Sequence, residues 1–323
     1  MSKKRLLSGM QPTGLLHLGN LVGALENWVR LQDEYEAFYF IADWHSLTTL
    51  YDKTEVIRQY TLEVAIDFLA AGLNPDSCAV FVQSDIKEHA ELHLLLSMVT
   101  PVSWLERVPT YKEKQTSLRP ESMSYGLMGY PVLQAADILA YKAGVVPVGK
   151  DQLPHLELAR EIARRFNYIY GEIFPDCNAL MTNYPYVPGT DGRKMSKSYA
   201  NAIYIADSPQ QTVDKIRCMF TDPTKLKRHD KGHREGCSVY EMLDLFGRAD
   251  LHEDCEAGHV GCLETKERLA GLINEYLEPV RQRRHQLAKD IDYVEDVLAA
   301  GAKKARVAVR HTLEEVRQAM GVR

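Results

Sequence analysis

Two short segments of this 323-residue chain carry side chains that could work on phosphate. One is Lys194-Met195-Ser196-Lys197-Ser198, preceded by Pro188-Gly189-Thr190-Asp191-Gly192-Arg193. It sets two lysines three residues apart, with hydroxyls among them, in a glycine-rich loop. Such a loop can close cations onto a polyphosphate and neutralise the charge that grows as pyrophosphate leaves. The other runs Ser8-Gly9-Met10-Gln11-Pro12-Thr13-Gly14-Leu15-Leu16-His17-Leu18-Gly19-Asn20 and joins a short apolar run to a helical pattern. Its glycines and proline shape a turn, and the N–H groups of the helix start favour an anion. His17 and Asn20 could donate to phosphate oxygens, and Gly19 leaves room for a flat ring against the helix. The segment is neither GxGxxG nor GxxxxGK, so the dinucleotide and P-loop readings do not apply. Taken singly, each segment also fits a plainer reading, a solvated turn for 194–198 and an ordinary strand-to-helix corner for 8–20.

A third signal is a lone carboxylate. Asp137 stands among Leu133, Ala135, Ala136, Ile138 and Leu139 on a helical pattern. A carboxylate in such surroundings is expensive without a partner. A salt bridge or a helix end would satisfy it as well as a ligand would.

These residues need elements to position them, and the first half supplies an alternation of strands and helices. Lys4–Ser8, Ala37–Ala42, Cys78–Gln83 and Val145–Val148 read as buried strands. Leu18–Leu31, Thr54–Ala71, Glu88–Val99, Ser124–Tyr141 and Asp151–Arg165 read as helices. Buried strands separated by helices imply an α/β fold with a doubly wound, parallel, Rossmann-like sheet. Ligands of such sheets sit at the carboxyl ends of the strands. That is where His45 falls, and where Gly149, Asp151 and Gln152 form a strand-to-helix corner. After about residue 208 strand patterns cease, and Pro209–Phe220, Val239–Phe246, Lys266–Lys289 and Val294–Met320 read as helices. The reading is a catalytic domain over 1–205 and an all-helical domain over 206–323, with the last helix able to pack back on the first domain.

Composition narrows the class. Charged residues make up 26% and hydrophobic ones 45%, as in an ordinary globular protein. No run of apolar residues is long enough to span a membrane. The basic Met1–Arg5 segment is followed only by Leu6-Leu7 before Ser8-Gly9, too short for a signal-peptide core, so the expected location is cytoplasmic. Six scattered cysteines without a CxxC are expected as reduced thiols. The net charge of -5 argues against a uniformly basic surface. Two segments are locally basic: 225–234 holds five Lys/Arg and one Asp, and 281–323 holds ten Lys/Arg against six Asp/Glu. Such runs are commonly solvated faces, and local phosphate contact is the alternative.

Taken together, the phosphate segments resemble the two signatures of class I aminoacyl-tRNA synthetases. His17-Leu18-Gly19-Asn20 is similar to the HIGH-type motif in its variant ending in Asn, and residues 194–198 match the KMSKS loop at every position. The resemblance extends over essentially the whole chain. SGMQPTGLLHLGNLVGAL at 8–25 and YPVLQAADILAYKAGVVPVGKDQLPHLELAREIARRFN at 130–167 resemble the tryptophan-specific branch. The tyrosine-specific branch shares fold and motifs, but the AADIL and VPVGKDQ contexts fit it less well. A small-molecule nucleotidyltransferase would not need the helical half, and a non-catalytic paralogue would not need both phosphate motifs intact.

The resemblance implies activation of L-tryptophan by ATP with Mg²⁺, then transfer to tRNA(Trp), in a homodimer bridged by the tRNA. It implies catalytic roles for His17, Asn20, Lys114, Lys194 and Lys197. ATP would be held by Gln11, Thr13, Gly19, Asn20, Gly149, Asp151 and Lys194-Met195-Ser196-Lys197-Ser198. Tryptophan would be held by Leu7, His45, Tyr130, Gln134, Asp137 and Gln152, with Asp137 accepting the indole N–H and Tyr130 and Gln152 holding the α-amino group. Leu7 and Gln134 depart from the aromatic residue and methionine often found there. Some members of this branch carry a four-cysteine iron–sulfur cluster in the helical domain. Here Cys237, Cys255 and Cys262 match part of that pattern, and Thr265 stands where the fourth cysteine would be. Threonine is a poor iron ligand, so a cluster is not expected. A zinc site completed by His259 or His252 is the alternative. Unligated thiols are the favoured reading.

Overall fold

The computed structural model of the protein describes residues 3–117, 123–181 and 186–323. Five strands pair in parallel: β1 (Arg5–Met10), β2 (Glu36–Ile41), β3 (Cys78–Val82), β4 (Val145–Val148) and β5 (Asn178–Met181). Their order across the sheet is β3-β2-β1-β4-β5. The expected strands are β1 to β4. The reading gave no strand at β5, a four-residue edge strand, half exposed, whose Asn-Ala-Leu-Met sequence holds no β-branched residue. The chain winds from β1 outward to β2 and β3, then returns to β4 on the other side. The order therefore reverses between β1 and β4, and the crevice of a doubly wound sheet opens at the carboxyl ends of those two strands.

Both sheet faces are covered, which is why β2 and β3 are apolar almost throughout. Leu6, Tyr39, Ile41 and Val80 face a core with Trp28, Phe68 and Leu69 from helices Glu26–Glu34 and Glu55–Ala71. Leu7, Phe38, Phe40 and Phe81 face the opposite core, with residues of helices Glu88–Ser97, Tyr125–Ala140 and Leu153–Tyr170. Ser124 caps the second of these, its side chain accepting from Leu127 N at 3.1 Å. Gly72, at φ 116°, ends the 55–71 helix in a left-handed turn.

Beyond residue 208 the described chain is helical: Pro209–Arg217, Ser238–Leu245, Cys262–Leu287 and Ile291–Met320 are its longer helices. They do not stand apart from the sheet. Ile216, Leu269, Ile273 and Leu277 share one apolar cluster with Leu6 and Trp28. Arg283 Nε donates to Ala70 O at 2.5 Å, and Arg284 pairs with Glu63. The last helix covers the outer edge of β3. A Cβ on Gly301 would lie 1.8 Å from Val80 O, so only glycine permits this approach. A covered edge cannot recruit a further strand. No helix among the described residues is long and apolar enough to cross a membrane.

Candidate active site

A cavity of about 630 Å³ opens at the carboxyl ends of β1 and β4, where the sheet order reverses. Its wall includes Leu7, Gln11, His17, Gly19, Asn20, His45, Tyr130, Gln134, Asp137, Gly149, Asp151, Gln152, Lys194 and Met195. Residues expected from separate stretches of sequence thus face one space. The volume is in the range of small-ligand sites.

One end of the cavity is cationic and built on the turn after β1. His17 caps the helix that starts at Leu18 through a reciprocal pair. Asn20 N donates to His17 Nδ1 at 3.2 Å, and His17 N donates to Asn20 Oδ1 at 3.0 Å. This pair fixes which atoms remain for a ligand. Burial, then the charges of Lys197 and Lys194, depress the His17 pKa to about 4, so the ring is neutral at pH 7. With Nδ1 accepting, the ring proton sits on Nε2, leaving that N–H and the Asn20 amide N–H to donate. A Cβ on Gly19 would come 3.0 Å from the His17 ring, so a larger residue would disturb the cap.

The 194–198 loop is tied to this turn. Met195 N donates to Val187 O at 2.8 Å, Leu18 N to Ile203 O at 2.8 Å, and Ile205 N to Leu16 O at 2.9 Å. Buried Asn201 staples the loop, accepting from Ser196 N at 2.8 Å and donating to Lys194 O at 3.1 Å. Lys197 Nζ donates to Gly14 O at 2.8 Å. Burial lowers the Lys197 pKa to about 8, against the opposing pull of Asp67. Ser196 Oγ and Ser198 Oγ bond each other at 2.9 Å. Thr13, Ser196, Lys197 and Ser198 lie beside the cavity rather than on its wall. Lys114 stands on helix Pro109–Ser117, and its side chain falls outside the described residues.

At the other end the cavity floor is a buried carboxylate. Asp137 is 1% exposed. His45 Nε2 lies 2.7 Å from Oδ2, and His89 Nδ1 lies 2.7 Å from Oδ1. Gln83 Nε2 donates to both oxygens, at 2.8 and 3.0 Å. Burial alone would push this carboxyl up. The hydrogen bonds from His45 and His89 overcome that and hold it below the usual carboxylate range. It is thus an ionised acceptor in an apolar slot lined by Leu7, Phe40, Ile138 and Val148.

A third cluster lines the same cavity. The Tyr130 hydroxyl sits 2.8 Å from His155 Nε2 and 2.5 Å from Thr110 Oγ1. Gln152 donates to Asp151 Oδ2 at 2.9 Å and accepts from Gln134 Nε2 at 3.5 Å. Gln83, His89, His155 and Thr110 were not expected from sequence. Gln83 directly follows buried strand β3, and His89 and His155 lie on the inner faces of helices. A polar residue on an apolar face was their only signal.

Cys237 and Cys255 are buried and Cys262 half-buried. Cys237 Sγ lies 3.8 Å from His252 Nε2. His259 is exposed beside Asp254, and Thr265 Oγ1 donates to Gly261 O at 3.3 Å. Among the described residues no three His, Cys, Asp or Glu side chains are arranged to hold a metal ion. The neighbouring basic segment is partly architectural. The ammonium of buried Lys225 caps the carbonyls of Arg228, Asp230 and Cys255.

Comparison with known proteins identifies the family of the chain. A family model described as tRNA synthetases class I (W and Y) matches residues 2–278. A tryptophan--tRNA ligase of Thermotoga maritima is 49% identical over 98% of this chain and 99% of its own. One of Aquifex aeolicus is 43% identical over 98% of this chain and all of its own. A solved tryptophanyl-tRNA synthetase from Campylobacter jejuni, complexed with ADP and tryptophan, superposes with a TM-score of 0.90 at 37% identity, covering 98% of this chain and all of that one. A tyrosyl-tRNA synthetase from Archaeoglobus fulgidus, at 24% identity and a TM-score of 0.65, shares the fold. The chain belongs to the class I tRNA synthetases, in the family of the tryptophan--tRNA ligases.

Proposed function

We propose that the cavity carries both half-reactions of a tryptophan--tRNA ligase, with the residue roles that follow. In the first, the tryptophan carboxylate attacks the α-phosphorus of ATP in line. Pyrophosphate leaves and tryptophanyl-adenylate remains. In the second, a terminal ribose hydroxyl of tRNA(Trp) attacks the acyl carbon and AMP leaves. No covalent enzyme intermediate is needed, so the chain acts by positioning and by stabilising charge.

The observation that carries this reading is the pairing of the two ends of one cavity. Its cationic end offers His17 Nε2–H, the Asn20 amide and Lys194 to the phosphates. Lys197 joins them by leaving the Gly14 carbonyl as pyrophosphate forms. Lys114 is assigned to the same task from its place in the sequence. Gln11, Thr13, Gly19, Gly149, Asp151, Met195, Ser196 and Ser198 complete the nucleotide site. The floor offers the Asp137 carboxylate to the indole N–H, within a slot that includes Leu7, His45 and Gln134. Tyr130 and Gln152 hold the α-amino group, so the carboxylate points toward the phosphates. Mg²⁺ enters as part of the Mg·ATP substrate and neutralises phosphate charge. It would keep several waters and bind largely through those phosphates, with Asp151 the one carboxylate assigned to the nucleotide side of the wall.

The helical half, from about residue 206, is assigned to the anticodon, and the enzyme is assigned to a cytoplasmic homodimer. Leu94, Met98, Val102 and Tyr125 are exposed large apolar side chains on and after the 88–97 helix, and they are assigned to the contact with a second copy. The acceptor end of tRNA held by one subunit would then enter the cavity of the other. Single-turnover mixing of enzyme, ATP and tryptophan tests the chemistry. One equivalent of pyrophosphate per site should appear, only with tryptophan present. Release without tryptophan, or none with it, would contradict the reading.

A further inference from the structure

The residues that hold Asp137 from behind touch no part of the cavity where a substrate could lie, yet they decide how its carboxylate faces that cavity. His89 is fully buried on helix Glu88–Ser97, with the rings of Phe40 and Phe81 against its edges. Its Nδ1 meets Asp137 Oδ1 at 2.7 Å, and its Nε2 meets the Tyr141 hydroxyl at 2.8 Å. Tyr141 is also fully buried, and burial, with the charges of Asp137 and Glu88, keeps its phenol protonated. The ionised Asp137 carboxylate can only accept, so His89 carries a proton on Nδ1 facing it, and the Tyr141 hydroxyl, donating to Nε2, holds that tautomer. Which nitrogen of a histidine holds the proton is set by the bond its other nitrogen makes.

The lone pairs of Asp137 can then be assigned. Oδ1 accepts from His89 and from Gln83. Oδ2 accepts from His45 at 2.7 Å and more weakly from Gln83 at 3.0 Å. A carboxylate offers about four acceptor sites. Each oxygen thus has one histidine, His89 on Oδ1 and His45 on Oδ2, with Gln83 shared between them; His45 lines the cavity and the Gln83 bond to Oδ2 is the longest of the four, so Oδ2 is the oxygen on the cavity side and the one that can exchange that bond for a ligand N–H.

We infer that His89, with its tautomer fixed by Tyr141, is a positioning residue for indole recognition: it locks Asp137 so that Oδ2 alone faces the indole N–H. The inference rests on the reading of Asp137 as the indole acceptor and adds the device that aims it. Without the His89 donor, Oδ1 loses a bond that keeps the carboxylate ionised in an apolar site, and the group can rotate or take up a proton. A protonated or rotated carboxyl no longer favours a ligand for its N–H.

The test compares tryptophan with its benzothienyl analogue, in which sulfur replaces the indole N–H at nearly constant shape. The readout is the ratio of kcat/KM values for the two substrates in ATP–pyrophosphate exchange, measured on the full chain. His89→Leu should lower this ratio about tenfold or more, mainly by raising the KM for tryptophan. His89→Asn, which restores a donor near Nδ1, should recover most of it. Tyr141→Phe, which frees the tautomer, should lower it about threefold. A purely structural role would slow both substrates alike and leave the ratio unchanged, which overturns the inference. If His89→Leu fails to fold, Tyr141→Phe and His89→Asn decide the matter by the same ratio. Asp137→Asn is the control. If it leaves the ratio intact, the reading of Asp137 fails and takes the inference with it. If Asp137→Asn collapses the ratio while the His89 and Tyr141 variants keep it, only the positioning role is lost.

Discussion

Removing the Lys197 ammonium should slow tryptophan activation without weakening tryptophan binding, and the structure sets both the size and the pH range of the effect. Lys197 is half-buried beside the cavity, and its Nζ donates to Gly14 O at 2.8 Å. Burial lowers its pKa to about 8. It is then about nine-tenths charged at pH 7 and about one-tenth charged at pH 9. The charge is needed when pyrophosphate leaves, so wild-type kcat/KM for ATP should fall as pH rises through about 8 in the free enzyme. Lys197→Ala should lower the activation rate at pH 7 by about 10²-fold or more, the usual cost of one contact made mainly in the transition state. Tryptophan affinity should change less than about twofold, because Asp137 and its partners lie at the other end of the cavity. Lys197→Arg carries a charge that does not titrate in this range. Its profile should lack the limb near pH 8, whatever its absolute rate. Rapid-quench measurement of adenylate formation between pH 6 and 9.5 provides the assay. A Lys197→Ala enzyme within threefold of the parent, or a parent profile flat through pH 9, would refute the reasoning.

Three further outcomes follow from the same structure. Asp137→Asn turns an amide toward donors from His45, His89 and Gln83, so at least one buried donor loses its acceptor; discrimination of tryptophan over phenylalanine in pyrophosphate exchange should fall by about 2 kcal/mol, roughly thirtyfold, and equal selection by parent and variant would make Asp137 structural. Asp67 is fully buried, neither of its oxygens closes a hydrogen bond, and its nearest ion-pair contact is Arg284 Nε at 3.5 Å. Burial raises its pKa to about 7 despite Arg284, so this group favours the fold most below pH 4 and loses that contribution as pH rises through about 7; Asp67→Asn should therefore melt higher than the parent at pH 8 and gain little at pH 4, as read by thermal unfolding, and an equal change at both would contradict the sign. Charge reversal at exposed Lys227, Lys231, Lys289 and Lys303 should weaken tRNA binding and flatten its salt dependence while tryptophan activation stays within about twofold of the parent, and equal damage to both activities would assign these residues to the fold.

The sequence was most informative where neighbours in the chain are also neighbours in space. The turn after β1 and the 194–198 loop each put their candidate chemistry on consecutive residues, so the segments assigned to phosphate could be picked out directly. Strands β1 to β4 announced themselves as buried apolar runs, and β4 led to the Gly149–Gln152 corner. The Asp137 floor was legible only as one misplaced charge, because its partners come from three other elements. His45 follows β2, Gln83 follows β3, and His89 stands six residues later on the 88–97 helix, with no common spacing. β5 escaped because an edge strand half open to water needs no apolar pattern. The two basic segments are mixed in use. Many of their cations are used inside the protein: Lys225 caps carbonyls, Arg283 binds Ala70 O, Arg284 joins Glu63, Arg310 joins Glu88 and Arg317 joins Glu91. Charge counts along a chain cannot separate such internal ties from a surface kept for RNA.

The central claim is that one cavity joins an indole-specific floor to a phosphate-handling turn and loop. Tryptophan-dependent exchange of labelled pyrophosphate into ATP, run beside tyrosine at equal concentration, tests it most directly. The account predicts rapid exchange with tryptophan and exchange at least about 10³-fold slower with tyrosine, since the Asp137 acceptor is assigned to the N–H of a bicyclic indole, and the smaller phenol ring would place its hydroxyl elsewhere and leave part of the slot unfilled. Comparable exchange with both amino acids, or none with tryptophan, would contradict it.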